Sequence, residues 1–377
     1  MTEKNKILIF VDWFAPGYKA GGPITSLVNL VQLMREDMDI SVVTSDRDLG
    51  ETTSYTGIRT DIWLQADGYR VYYISNKQPV LKIMKHILRA DNYDTIYLNS
   101  MWSVHYTWIP LWLLRNNHTS KIVLAPRGML HPSALSISRV KKWLFLHIAR
   151  QIGLYRQVHF HATTPLEETY IQTVFPNQDV SVVQNVPVIP VYQSSQNKES
   201  GILRLLFTGR VHPIKNINFL LKVLAECRDN IELYIVGPIE DADYYRKGIA
   251  LCGDLSASVQ VHYLEDKHPV AVQQYVRGCH FLISPTLGEN FGHAIFEAFA
   301  AGRPVIISDK TPWRGLEAVH AGFDIGLDTA DVWQEVIYRC AGMNQQEYDQ
   351  WCTGAFMYAK DFFSKQQFKQ EYLQLLS

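Results

Sequence analysis

Glu289 and Glu297 stand eight residues apart in the segment Ser284–Asp309, and their setting suggests chemistry. A short apolar run ends near Pro285, a polar loop follows, and a helix is predicted to start near Gly292. Gly302 stops that helix and Pro304 opens the next strand. The helix start offers free N–H groups over Phe291, Gly292, His293 and Ala294, and Gly292 lets the backbone approach a ligand. Such an end suits a diphosphate. Glu289 and Asn290 lie in the loop at its mouth, where Glu289 can accept hydrogen bonds from sugar hydroxyls. Glu297 follows His293 by one turn on the same face and can grip a ribose diol. A carboxylate at each end of a phosphate seat outlines a nucleotide-sugar site.

A second segment, Gly209-Arg210-Val211-His212-Pro213-Ile214-Lys215-Asn216, supplies Arg210 and Lys215 after an apolar run. Departure of a nucleoside diphosphate builds negative charge, which fixed cations stabilise. Gly21-Gly22-Pro23 follows the first apolar run and precedes a helix, so Gly21 and Gly22 are candidate ligand contacts, as is Gly237 in the second half. No G-x-G-x-x-G is present, which disfavours a nicotinamide site. Asp241-Ala242-Asp243 has a metal-binding form but reads as acids opening a helix, and no metal is expected. His159 and His161 share one strand face without an apparent third ligand. Pro126–Pro132 follows another strand; Arg127 there is a candidate contact for an anionic acceptor or phosphate, with His131 four residues on. Arg139–Arg150 forms a basic, aromatic, amphipathic helix suited to peripheral contact with a membrane.

The elements that must position these residues alternate along the chain. Continuous apolar strands are predicted at 7–11, 40–44, 71–74, 95–98, 121–125, 158–163 and 181–184. After a break at 186–196, others follow at 203–208, 231–236, 259–263, 281–285 and 304–308, again interleaved with helices. Buried strands alternating with helices indicate parallel sheets covered on both faces. The expected division is a first α/β domain over 1–192, a linker over 193–201, a second domain over 202–350, and a C-terminal helix over 351–377 crossing back to the first. A length of 377 residues fits two domains, and 47% hydrophobic with 19% charged residues describes a globular chain. A net charge of −1 gives no global attraction to nucleic acid. The five cysteines form no CxxC pair, and no apolar run reaches membrane-spanning length. A cytoplasmic location, peripheral on the inner membrane face, is the expectation.

The Glu289–Val305 pattern, E-N-F-G-x-x-x-x-E-A-x-A-x-G-x-P-V, resembles the signature of family-four glycosyltransferases, and Gly209–Asn216 is similar to that family's Gly-Arg…Lys segment. The resemblance implies a GT-B fold of two Rossmann-like, doubly wound domains facing across a cleft. It implies a retaining hexosyltransferase working from a UDP- or GDP-sugar without cofactor or metal. Glu289 would contact the donor sugar, Glu297 the ribose, and Arg210 with Lys215 the diphosphate. The glycine-rich loop at Gly21-Gly22 has a counterpart in the family. Many relatives carry a histidine where this chain has Arg127. The expected acceptor is a glycan or a lipid-linked hydroxyl in surface polysaccharide synthesis. Rival readings are an inverting transferase or nucleotide-sugar epimerase of the same fold, or a non-catalytic nucleotide-sugar-binding protein.

Overall fold

The computed structural model describes residues 4–115, 119–131, 135, 139–265, 267–289 and 291–377. The chain forms two compact units. The first comprises residues up to Val186 together with Gln367–Ser377; the second is Pro187–Gln366.

The first unit is built on β1 (Lys6–Phe10), β2 (Asp39–Ser45), β3 (Trp63–Gln65), β4 (Tyr69–Ile74), β5 (Thr95–Leu98), β6 (Lys121–Leu124), β7 (Val158–Ala162) and β8 (Val180–Val182). Their order across the sheet is β3-β4-β2-β1-β5-β6-β7-β8. Every pairing is parallel except β3 with β4. Two apolar layers cover the faces, one around Leu8, Phe10 and Leu98, the other around Ile7, Ile9 and Tyr97. That alternation follows from the period of two along a strand. β3 escaped the strand pattern because it has only three residues, hairpinned onto β4.

The second unit holds β9 (Ile202–Thr208), β10 (Asn230–Val236), β11 (Val259–Tyr263), β12 (Phe281–Ser284), β13 (Val305–Ser308) and β14 (Gly322–Ile325). All pairings are parallel, in the order β11-β10-β9-β12-β13-β14. This is the doubly wound order, and its switch point lies between β9 and β12. β1 and β5 hold the same place in the first sheet. β14, Gly-Phe-Asp-Ile, was not expected as a strand; Asp324 leaves the apolar pattern because it accepts the N–H groups of Gly315 and Leu316.

The chain leaves the first unit at Val186 and returns at Gln367. The segment 193–201 lies within the second unit and is tied down there. The buried Arg303 guanidinium donates to the carbonyls of Gln193 (3.2 Å) and Ser194 (2.6 Å). The buried Lys198 ammonium donates to the carbonyls of Ala341 (2.8 Å) and Met343 (3.1 Å). The tail is two helices. Gln345–Lys365 starts in a capping box of Asn344 and Glu347 and belongs to the second unit. Phe368–Leu376 buries Tyr372, Leu375 and Leu376 against Ile7, Ile9 and Val123 of the first. Among the described residues no helix is long and apolar enough to cross a membrane.

Candidate active site

The loops after β9, β10 and β12 meet at the carboxyl edge of the second sheet. After β9 the chain passes Gly209 and makes one 3-10 turn, Pro213–Lys215. It then enters the helix Ile217–Ala225 through Asn216 in the left-handed region (φ 56°). The Ile214 carbonyl accepts from the Leu287 N–H (2.7 Å) and the Thr286 hydroxyl (3.1 Å). These bonds clamp the Lys215 turn to the loop after β12. The Glu289 N–H donates to the Lys310 carbonyl (3.0 Å), fixing the far side of that loop.

The clamp brings two predicted residues together. The Lys215 ammonium donates to the Glu289 carboxylate, and both side chains are about one-fifth exposed (18% and 19%). They are mostly enclosed, yet a ligand can reach them. Immediately beyond, Gly292 (φ 76°) caps the helix His293–Ala300. Only glycine takes that conformation cheaply. The loop rests on an aromatic cluster: the Trp313 indole donates to the Phe291 carbonyl (2.7 Å), and Phe291, Phe296 and Phe362 surround Trp313. The Phe291 and His293 rings lie 4.8 Å apart between centroids. Asn290 lies outside the described residues.

Gly209 and Gly237 end adjacent strands and touch through their backbones. A Cβ on Gly237 would sit 2.0 Å from the Gly209 carbonyl oxygen. One on Gly209 would sit 3.7 Å from Lys215 Cε, so the lysine stem crosses this bare backbone. Arg210 points elsewhere: one terminal nitrogen donates to both Glu240 carboxylate oxygens (2.8 and 2.6 Å). That pair is well exposed and weakly held. Asp241 caps the helix Ala242–Leu251 by accepting the Tyr244 N–H (2.9 Å), and Asp243 pairs with Arg246. Among the described residues no three His, Cys, Asp or Glu gather as a metal site.

Glu297 sits one turn into the helix, half-buried, and burial pushes its carboxyl up to about 7. An ionised carboxylate there is strained by lost hydration; a diol donating to it would restore the charged form. The folded pKa is raised, so this group costs stability progressively as pH rises from about 4.5 to about 7. Glu297→Gln is therefore expected to raise the melting temperature at pH 8 clearly more than at pH 5, the gain in stability reaching about 2 kcal/mol at the upper end. Calorimetric melts of both proteins across that range check it. A gain larger at pH 5 would contradict the burial argument.

In the first unit, Gly21 (φ 67°) caps the helix Gly22–Met34, and Asp48 holds the preceding loop by accepting the Tyr18 (2.7 Å) and Lys19 (3.1 Å) N–H groups. Arg127, itself at φ 55°, reaches across the sheet edge. Its Nε donates to Asn99 (2.7 Å), one terminal nitrogen to Asn185 and the other to the Tyr97 hydroxyl (2.9 Å). Tyr97 in turn meets His161 Nδ1 (2.8 Å), whose Nε2 faces the Val183 carbonyl (2.8 Å). A carbonyl only accepts, so Nε2 carries the hydrogen and Tyr97 donates to Nδ1. Burial, aided by the Arg127 charge, pulls His161 down to about 3, keeping it neutral. Arg127 thus brings positive charge among neutral hydrogen-bond partners, with the buried Glu167 carboxylate, which accepts the Gly128 N–H (2.6 Å), acting on it as an opposite charge. His131 is exposed and packs edge-on against Tyr170 (5.0 Å). Sequence reasoning missed Asp12, at the end of β1. The Ser103 hydroxyl donates to it (2.6 Å), and burial pushes its carboxyl above the usual range. Its partner lies 91 residues away, so no local pattern announced it. A half-buried carboxyl at the switch point between β1 and β5 can accept a proton or orient a hydroxyl.

Two parallel, doubly wound units of this order define the GT-B fold. Solved structures agree over nearly the whole chain. HepE of Anabaena, in complex with UDP and glucose, superposes with TM-score 0.67 at 17% identity, covering 98% of each chain. WaaG, a glycosyltransferase involved in lipopolysaccharide biosynthesis, gives 0.64 at 13% identity, covering 98% of this chain and 99% of that one. Residues 203–333 match the family described as Glycosyl transferases group 1. An uncharacterized glycosyltransferase of Methanocaldococcus jannaschii is 22% identical over 80% of each chain. A D-inositol 3-phosphate glycosyltransferase of Rhodococcus erythropolis is 27% identical over 31% of this chain and 28% of its own. The match to group 1 glycosyl transferases lies within the second unit, and the chain is a glycosyltransferase.

Proposed function

We propose that the chain moves a hexosyl group from a UDP- or GDP-sugar to a hydroxyl of a glycan or lipid-linked acceptor, with retention at the anomeric carbon, in surface polysaccharide synthesis. The observation that carries this is the meeting of Lys215 and Glu289 beside the N-terminus of the helix His293–Ala300. The diphosphate lies against the N–H groups near Gly292 and His293, with Asn290 and Phe291 in the same loop. The Gly209–Gly237 contact leaves room beside Lys215. Lys215 then exchanges its carboxylate partner for phosphate oxygens, which frees Glu289 to accept from sugar hydroxyls. Glu297 takes the ribose diol. Arg210 leaves its exposed pair with Glu240 at little cost and adds a second cation. The cationic role falls to these side chains without metal or cofactor.

As the anomeric C–O bond breaks, electron density moves to the leaving phosphate, and Lys215, Arg210 and the helix N-terminus stabilise it. No carboxylate is assigned as a covalent nucleophile. The leaving phosphate oxygen takes the acceptor's proton on the face where the new bond forms, so configuration is kept. On the acceptor side the reading assigns Gly21, Gly22, Arg127 and His131. A lipid-linked acceptor would be met at a membrane surface through Arg139–Arg150. HepE of Anabaena is seen in complex with UDP and glucose, which supports a nucleotide-sugar donor.

The anomeric proton coupling of the first-formed product, measured by NMR, tests retention. An α-linked donor is expected to give an α-linked product. A β-linked product would support the inverting alternative, and donor isomerised without acceptor would support the epimerase alternative.

A further inference from the structure

Charge is unevenly spread along this nearly neutral chain. From Thr95 to Leu166 there is no Asp or Glu, while Arg115, Lys121, Arg127, Arg139, Lys141, Lys142, Arg150 and Arg156 fall in that stretch. Within it the helix Arg139–Gln151 has one face fixed against the fold. Phe145 stacks on Trp108 (3.7 Å between centroids), Lys142 lies over the Trp102 ring, and Ala149 is buried. The opposite side therefore faces outward. Leu144 (51%), Ile148 (47%) and Ile152 (51%) form an exposed ridge at helical spacing, with Trp143 (64%) beside it. Aliphatic and tryptophan surface this exposed is unusual outside an interface.

The ridge runs into a cavity of about 270 Å³ whose lining includes Ile152, Leu111, Ile122 and Leu154. Arg115 and Arg156 stand among the lining residues, and neither forms an ion pair among the described residues. The Arg115 guanidinium lies over the exposed Trp112 ring (5.3 Å). Ile122 and Val158, also in the lining, lie at the amino-terminal ends of β6 and β7. That is the sheet edge away from the carboxyl ends, where open α/β sheets take their substrates. This cavity is thus separate from Asp12, Arg127 and the candidate acceptor contacts.

We infer that this cavity is a headgroup site for an anionic phospholipid, with the Leu144–Ile148–Ile152 ridge set into the bilayer beside it. The two arginines match a phosphodiester flanked by a polar headgroup, and the apolar floor matches the first carbons of the lipid. Ile152 belongs to both surfaces, so ridge and cavity engage one membrane together. The acid-free stretch from Thr95 to Leu166 favours an anionic bilayer, since each basic residue near such a surface adds about 1 kcal/mol. The inference deepens the proposed membrane contact but does not depend on catalysis.

The test is sedimentation of the whole chain with vesicles of phosphatidylcholine, alone or with about one third phosphatidylglycerol. Binding is expected only to the charged vesicles, weakening as salt rises. Arg115→Gln with Arg156→Gln is expected to lower that affinity by about 10–30-fold, corresponding to two lost charges. Ile148→Ser with Ile152→Ser should weaken it comparably. Lys85→Gln with Arg89→Gln removes the same charge from another exposed helix and should change affinity less than threefold. Thermal melts establish that each variant is folded. Failure of the wild type to bind charged vesicles would overturn the inference, as would equal losses in the two charge-matched pairs. Competition by millimolar inorganic phosphate that leaves vesicle binding intact supports the combined site; complete release by phosphate would indicate an anion pocket without membrane insertion and overturn it.

Discussion

Lys215→Ala is expected to lower kcat for sugar transfer by ~10²–10³, the range found when one fixed donor is removed from a developing oxyanion. The loss should fall on kcat more than on KM, because the charge it stabilises grows only as the phosphate departs. A structural cost accompanies it. Glu289 loses its partner while four-fifths enclosed, so stability should fall by about 1–2 kcal/mol. Glu289→Gln removes the complementary charge and should also lower kcat, because its carboxylate no longer accepts from sugar hydroxyls. The double variant separates the two effects. With both charges gone, no ion is left alone and the melting temperature should return most of the way to wild type. The rate should not return. Steady-state kinetics and calorimetry on the three variants read both quantities. Rate and stability recovering together would mean that the pair is structural only.

Gly237→Ala is expected to destabilise the second unit by more than about 3 kcal/mol. The backbone stands at φ 149°, where L residues are strained, and the added methyl would meet the Gly209 carbonyl oxygen at 2.0 Å. The obstacle is backbone at the end of β9, so relief requires moving that strand end. Gly209 carries the Arg210–Lys215 turn, so donor affinity should fall at least tenfold in whatever fraction still folds. Gly253→Ala is the matching control, because an added Cβ there meets nothing within 4 Å and its melting temperature should hardly change. Chemical denaturation of both variants measures the difference. A mild effect at Gly237 would show that the contact between the two strand ends is loose.

The donor side was legible because its signals are local. Phe281–Ser284 is wholly buried, the loop after it is polar, and Gly292 and Gly302 punctuate the following helix as their positive φ angles require. That Lys215 and Glu289 serve one donor was implied by resemblance; their direct contact was not expected, since the two lie 74 residues apart. Asp12 and Ser103 had no such help. The three-residue β3 and the glycine-led β14 were missed because tertiary pairing, not pattern, makes them strands. Gln193–Asn197 reads as a linker by composition, yet its carbonyls serve Arg303, and no residue within the segment encodes that bond. In the first unit, Arg127 was visible as a cation after a strand, but not its partners: Tyr97 and Asn99 at the end of β5, and Asn185 beyond β8.

The central claim is that a nucleoside diphosphate sugar occupies the edge of the second sheet, between Lys215 and Glu297. The most direct measurement is calorimetric titration of the whole chain with a panel of UDP- and GDP-sugars, repeated on Lys215→Ala and Glu297→Ala. At least one donor should bind the wild type, and both substitutions should weaken it about tenfold or more while the fold melts normally. Binding of equal strength in all three proteins would place the donor elsewhere and contradict the claim.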